Sequence, residues 1–323
     1  MEQNRIAIIW DFDKTLSKNY MQKPLFDDYG VDEKIFWDEV NALYDKYKEQ
    51  GISVNKDTAY LNHLLTCVRQ GIFPELNNAK LFVLGEQIEF YDGVLEIFDN
   101  LRQVLKNTLA PYPLAKDFDI QIEYYIVSTG LTQMIKGSKI AKHITQIWGC
   151  EFIESPIPSN LKGIKQSKVL PSKFDTNIIN QVSYLFDNTS KTRAIFEINK
   201  GSNKLDTIDV NGKMDDHKRR IPFVNMIYLA DGPSDVPAFS LLTKNNGKTY
   251  AVYPKGAKEH RNQVNQLQRD GRIDAFGEAD YTPDTPTYLW LEEQVQNIAL
   301  KIYNNLATKF QNSTTKSPTH LVD

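Results

Sequence analysis

Arg5-Ile6-Ala7-Ile8-Ile9-Trp10-Asp11-Phe12-Asp13-Lys14-Thr15-Leu16 is the stretch whose reading decides the fold. Ile6 to Trp10 is a continuous apolar run rich in β-branched residues, and it stops abruptly at a carboxylate. A run without polar alternation predicts a strand buried on both faces, as in a parallel sheet. Asp11 and Asp13 lie two residues apart at the end of that strand. One of two such carboxylates can act as a nucleophile or bind a cation. The other can shuttle a proton, provided their surroundings separate their pKa values. Taken alone, the same residues make a polar turn after a strand.

Working outward, three more apolar runs end in polar or turn residues. Tyr124 to Val127 ends at Ser128-Thr129-Gly130, Met226 to Ala230 at Asp231-Gly232, and Tyr250 to Tyr253 at Pro254. Between them the period becomes helical. Gly93 to Leu105 carries Val94, Leu95, Ile97, Phe98, Leu101 and Leu105, while Leu131–Ile147 and Val236–Leu242 read as helices less cleanly. Strands alternating with helices predict an α/β fold with a mostly parallel sheet. In such sheets chemistry sits beyond the carboxyl ends of the strands, where the polar residues after three of these runs would converge.

The segment from Ser17 to Tyr91 shows no convincing strand and at least two amphipathic helices. Asp32 to Gln50 sets Ile35, Phe36, Val40, Leu43, Tyr44 and Tyr47 near one face. Asn55 suits the N-cap of a helix running to Gln70, and Gly71 its stop. The reading is a helical insert after the first strand. Asn199 to Pro222 is polar and contains Asn211-Gly212, a hairpin-turn pair. Phe310 to Asp323 is rich in Ser and Thr and reads as a frayed tail.

Composition narrows the function classes. The 323 residues are 41% hydrophobic and 24% charged, with a net charge of −3 and a pI near 6.0. No overall basic field argues for nucleic acid or an anionic membrane surface as partner. His217-Lys218-Arg219-Arg220 is balanced by Asp215 and Asp216 and reads as a solvated loop. The two cysteines, Cys67 and Cys150, fit neither a CxxC metal site nor a dense disulfide framework, which suits a reducing compartment. The five histidines show no HExxH-type spacing. The N-terminal residues lack the long apolar core of a signal peptide, and no stretch approaches bilayer length, so the expectation is a soluble, cytoplasmic chain with no membrane partner.

Asp11 to Leu16 resembles motif I, DxDxT[LV], of the haloacid dehalogenase superfamily. The other three family motifs occur in order. Ser128, followed by Thr129 and Gly130 at the expected start of a helix, resembles motif II; alone, Ser-Thr-Gly is an ordinary N-cap. Lys191, opening Lys-Thr-Arg-Ala-Ile-Phe-Glu-Ile, resembles the motif III lysine, with Arg193 and Lys200 as nearby alternatives. Asp231-Gly232-Pro233-Ser234-Asp235 resembles motif IV, which in phosphoserine-phosphatase-like members reads approximately GDGxND. Here Ala230 replaces the usual glycine and Ser234 the usual asparagine, which puts one hydrogen bond near the metal in question.

The resemblance implies a Rossmann-like core with a helical C1-type cap inserted after the first strand. The core would span 1–16 and 92–310, the cap 17–91, and a disordered tail 311–323. It further implies a magnesium-dependent phosphatase acting on a small-molecule phosphomonoester. Asp11 would be the nucleophile and Asp13 the general acid and base. Ser128, Thr129, Gly130 and Lys191 would hold the phosphoryl group. Mg²⁺ would take Asp11, the backbone carbonyl of Asp13, and Asp231, with Asp235 in or next to its shell. A phosphomutase, a catalytically inactive binding protein on the same scaffold and a nucleic-acid end phosphatase are the alternatives. Lys18, Tyr20 and Lys23 would lie near the hinge or flap, without assigned substrate roles. The substrate and the oligomeric state are not legible.

Overall fold

The computed structural model describes residues 3–157 and 177–314. Strand β1 (Arg5–Trp10) is followed by four helices, α1 (Lys23–Tyr29), α2 (Glu33–Glu49), α3 (Lys56–Arg69) and α4 (Asn78–Gly85). Next come α5 (Val94–Leu109), the short α6 (Ala115–Phe118), β2 (Gln121–Leu131) and α7 (Thr132–Gly137). The chain continues through β3 (Gln146–Ile153), β4 (Gln181–Tyr184), α8 (Asn188–Lys200), β5 (Met226–Ala230) and α9 (Val236–Lys244). It closes with β6 (Lys248–Tyr253), α10 (Lys258–Arg269), β7 (Ala275–Glu278) and α11 (Pro286–Thr314).

The seven strands form one sheet in the order β4-β3-β2-β1-β5-β6-β7, and every pairing is parallel except that of the edge strand β4. This is the expected mostly parallel α/β fold. β1 lies in the middle, and Ile6 to Trp10 are fully buried, as an apolar run without alternation requires. Trp10 meets Phe98 of α5 and Tyr281 edge-on, with ring centroids 6.1 and 5.6 Å apart. The Tyr281 hydroxyl donates to the Thr15 carbonyl at 2.7 Å, so the far end of the chain fastens the turn after β1.

Several expectations are corrected. Leu131–Ile147 is not one helix. β2 runs on through Ser128, Thr129 and Gly130 to Leu131, α7 is six residues long, and β3 begins at Gln146. Leu131, Met134 and Ile135 share helical spacing, but the pattern stops there and Ile147 already belongs to β3. β3, β4 and β7 are further strands that the apolar runs did not mark. Around Asn211-Gly212 no hairpin forms: among the described residues no strand flanks the turn, and Lys200 Nζ clamps it by donating to the carbonyls of Val210 and Gly212, each at 2.6 Å. The basic run is only partly solvated. Arg219 reaches Asn199 and Asp216, and Arg220 forms a half-buried pair with Glu123.

Residues 17–91 contain helices and no strand, only isolated bridges at their ends. Ser17 pairs with Phe90, and the Tyr91 amide donates to the Leu16 carbonyl at 3.0 Å, so the chain leaves and re-enters at one place. Asp32 and Asn55 cap α2 and α3, accepting from Ile35 N at 3.1 Å and Thr58 N at 2.8 Å. Gly71 follows α3 in the left-handed conformation, φ +72°. The apolar face of α2 is narrower than its spacing suggests: Phe36 and Val40 are buried, whereas Ile35 and Tyr47 are exposed. α4 is docked on α7 by backbone approach. A Cβ on Gly85 would lie 2.1 Å from the Met134 carbonyl oxygen, and one on Gly137 1.7 Å from that of Phe82, so neither site takes a side chain. At the other end of the chain, α11 extends to Thr314; the remainder of the expected 311–323 tail lies outside the described residues. No helix among the described residues is long and apolar enough to cross a membrane.

Candidate active site

The carboxyl ends of β1, β2 and β5 meet at one wall of a cavity of about 780 Å³. Asp11, Asp13, Ser128, Thr129, Gly130 and Lys191 line this wall, and Asp231 stands beside them. Each anticipated site residue therefore reaches one place except Asp235, which lies just behind the surface, fully buried.

Asp11 follows β1 directly, its backbone N–H still bonded to the Leu229 carbonyl of β5 at 2.8 Å. Its two carboxylate oxygens are divided: Thr15 Oγ1 donates to Oδ2 at 3.1 Å and Lys191 Nζ to Oδ1 at 2.7 Å. Lys191, in the first turn of α8, also donates to Asp235 Oδ1 at 2.7 Å. α8 begins there because the Asp187 side chain caps it, accepting from Ser190 N at 2.7 Å. Asp235 is further held by the Tyr228 hydroxyl and by Ser234 Oγ, which donates at 2.8 Å. Ser234, which stands where the resemblance expects asparagine, thus hydrogen-bonds Asp235. Lys191, not Lys200, is the lysine at the centre: Lys200 is spent on its own loop, and Arg193 pairs with Glu197.

One oxygen from each of Asp11, Asp231 and Asp235 can lie within 4.8 Å of the others. Three carboxylates against one buried ammonium leave negative charge in excess. Burial pushes Asp11 up to about 6, with Lys191 opposing and Asp235 adding to the rise. Burial, then the charges of Asp11 and Asp235, push Asp231 up to about 7. Burial alone would lower the Lys191 ammonium, but the two carboxylates more than offset it and hold the lysine protonated. Asp13 is raised furthest, to about 8, by burial and then by the Asp11 charge, although the Met21 amide donates to its Oδ1 at 2.8 Å. Asp13 is therefore pushed further toward its protonated form than Asp11, the direction of separation that a carboxylate pair with two roles needs.

Ser128 is buried, and its Oγ accepts from Gly130 N at 3.0 Å within the strand end, not at a helix N-terminus. The pairing of β2 with β3 shifts register between Val127 and Leu131, and Ser128, Thr129 and Gly130 within that stretch line the cavity. The cavity is also lined by side chains that the motifs did not mark: Gln22, Trp37, Asp57 and Tyr60, together with Tyr20. The Tyr60 hydroxyl donates to the Thr129 carbonyl at 3.2 Å, joining α3 to the strand end. Of the residues expected near a hinge, Lys18 pairs with Asp92 and Lys23 with Asp27, and only Tyr20 lines the cavity. Asp57, in the first turn of α3, follows the correctly read N-cap Asn55; the other residues had no periodic or motif signal.

No family model matches the chain. An uncharacterized protein of Borreliella burgdorferi is 41% identical over 300 residues, covering 91% of this chain and 97% of that one. Among solved structures the chain is similar to a probable phosphoserine phosphatase from Vibrio cholerae, at 12% identity over 94% of this chain and 68% of that one, TM-score 0.46. A HAD family hydrolase from Salmonella enterica serovar Typhi is 13% identical over 81% of this chain and 66% of that one, TM-score 0.42. These two are distant likenesses of chain path.

Proposed function

The chain belongs to one family with the Borreliella burgdorferi protein and carries, in order, the four motifs of the haloacid dehalogenase superfamily in its phosphoserine-phosphatase-like form; on that premise we propose that it is a magnesium-dependent phosphatase that hydrolyses a small-molecule phosphomonoester through an aspartyl-phosphate. The observation that carries this reading is the pairing of Asp11, held by buried Lys191 at 2.7 Å, with Asp13 two residues away on one cavity wall.

Asp11 is aimed by Thr15 and Lys191, and its free lone pair attacks phosphorus in line. As the bond from phosphorus to the ester oxygen breaks, Asp13 gives its proton to the leaving alcohol. The Asp13 carboxylate then takes a proton from the water that attacks the aspartyl-phosphate, and inorganic phosphate leaves with Asp11 restored. Lys191 and the Ser128–Gly130 backbone offset negative charge on the phosphoryl oxygens. Asp235, whose oxygens already meet three donors, positions Lys191.

A hard divalent cation fits the donor set. Asp231 has no hydrogen-bond partner among the described residues, and the carboxylates exceed the single lysine in charge. Asp11, Asp231 and the Asp13 carbonyl would hold Mg²⁺, with Asp235 behind them. Bound there, the ion supplies Lewis-acid stabilisation of charge on the phosphoryl group. The helical segment 17–91, acting as a cap over the sheet ends, supports a small substrate over a bulky one.

The test is phosphate release from a panel of small phosphomonoesters, with Mg²⁺ and with EDTA, for wild type and Asp11→Asn. Release that needs Mg²⁺ and disappears in Asp11→Asn is expected. Mg²⁺ binding without release from any compound would overturn the hydrolase reading.

A further inference from the structure

The helical wall of the cavity has a chemistry of its own, and it differs from that of the sheet wall. Gln22 is 2% exposed and lines the cavity, yet its Oε1 has no hydrogen-bond partner. A buried acceptor left without a donor is costly unless something entering the cavity supplies one. Asp57 lines the same wall, half-buried, and makes no hydrogen bond or ion pair among the described residues. Two acceptors without donors, one of them anionic, thus line the cavity that the sheet-end aspartates also line.

The faces of the aromatic groups suit a cation, while the buried indole N–H of Trp37 is a donor without a partner. Trp37 packs between Tyr20 and Tyr60, with ring centroids 5.3 and 5.6 Å apart, and all three line the cavity. Lys14 Nζ lies 3.8 Å from the Tyr20 centroid, so one ring of this group already faces an ammonium. Aromatic faces attract ammonium groups through the ring quadrupole.

Of the lysines that line the cavity, Lys34 pairs with Asp38, and Lys56 makes no ion pair among the described residues and lies 5.9 Å from the Tyr44 ring. Among the described residues no arginine lines the cavity. A substrate carboxylate would therefore meet Asp57 and find no fork of donors to hold it.

We propose that this wall binds a protonated primary amine, so that the substrate is the phosphomonoester of an amino alcohol without a carboxylate, phosphoethanolamine being the smallest. The proposal rests on the phosphatase reading of the same cavity. An N–H of the ammonium satisfies Gln22 Oε1, Asp57 neutralises the charge, and the rings of Trp37 and Tyr20 flank it. The phosphoryl end lies against Asp11 and Lys191, so the substrate's two opposite charges match the two walls.

The experiment measures kcat/KM of the full chain with Mg²⁺ on phosphoethanolamine, phosphocholine, phosphoserine, glycerol 3-phosphate and p-nitrophenyl phosphate. Phosphoethanolamine is expected to exceed phosphoserine and glycerol 3-phosphate by about tenfold or more, as one charge-assisted hydrogen bond allows. Phosphocholine, which has no N–H for Gln22, is expected to fall below it. Asp57→Asn is expected to collapse the ratio of phosphoethanolamine to glycerol 3-phosphate through KM, and Asp57→Glu to restore part of it. Equal or better turnover of phosphoserine, glycerol 3-phosphate or phosphocholine overturns the proposal and leaves the phosphatase reading standing. So does an Asp57→Asn enzyme that loses both substrates by the same factor, because that marks a structural role. If p-nitrophenyl phosphate and every other ester go unhydrolysed, the phosphatase reading itself fails and the proposal falls with it.

Discussion

Two buried charge clusters sit toward opposite ends of the same strands and follow opposite rules. Near the amino ends, Arg220 donates to both carboxylate oxygens of Glu123 and, at 3.3 Å, to the Tyr125 hydroxyl, while Arg5 lies 3.8 Å from Glu123. Burial pushes the Glu123 carboxyl up, but the Arg220 hydrogen bonds more than offset it and hold the group below its ordinary value. At the carboxyl ends, three aspartates crowd around one lysine that bonds only two of them, Asp11 and Asp235, and burial leaves Asp11 and Asp231 raised. Where positive charge matches negative, the cluster fastens the fold. Where negative charge is in excess, the cluster is held ready for positive charge from outside, at a cost in stability.

Breaking the carboxyl-end cluster separates activity from stability. Asp11→Asn is expected to lower phosphate release on the order of 10⁴-fold or more. Its thermal midpoint in EDTA should be at least that of wild type, because one of several crowded carboxylates becomes neutral. A clear fall in that midpoint would place Asp11 among the fastenings. Lys191→Met removes the only ammonium bonded to Asp11 and Asp235 among the described residues and leaves both buried without it. Urea unfolding in EDTA should show a loss of about 3–5 kcal/mol. Added Mg²⁺ should restore more stability to this variant than it adds to wild type. Asp13→Asn should cost about 10²-fold or more on an alkyl phosphate and less on p-nitrophenyl phosphate, whose leaving group departs without a proton. Equal losses on the two esters would remove Asp13 from the role of acid.

The contrast between the two clusters also marks what the sequence could tell. Asp11, Asp13 and Asp231 were legible because each follows an apolar run, and a run buried on both faces places its next residue at the sheet's carboxyl edge. β5 was read to the residue for the same reason. β4 and β7 were not: each has four residues, lies at an edge of the sheet and is only partly buried, so its apolar signal is faint. The Arg220–Glu123 pair joins residues 97 apart, and nothing local in the basic run distinguishes a fastening from a solvated loop. Gln22, Trp37 and Asp57 likewise come together only through the packing of α1, α2 and α3 against the sheet ends.

The smallest effects sharpen the comparison through pH. Arg220→Met should cost about 1–3 kcal/mol, because Glu123 stays half-buried without its donors, and should leave kcat per folded molecule unchanged. The two clusters then titrate with opposite sign. Glu123 has a folded pKa below its ordinary 4.5, so its contribution to stability is present above that value and is lost as pH falls through the folded pKa. The difference in unfolding free energy between wild type and Glu123→Gln should therefore shrink as pH drops below about 4.5. Asp11, Asp231 and Asp13 are raised from 3.8 to about 6, 7 and 8. Their penalty is fully present above those folded values and is relieved as pH falls toward 3.8, so in EDTA this cluster should make the protein more stable on mild acidification. Wild type in EDTA is thus expected to gain stability from pH 8 toward 5 and to lose it below about 4.5. Asp11→Asn should flatten the gain, and Glu123→Gln should soften the loss. A gain that persists unchanged in Asp11→Asn would mean that the excess charge at the carboxyl ends is not what burial has raised.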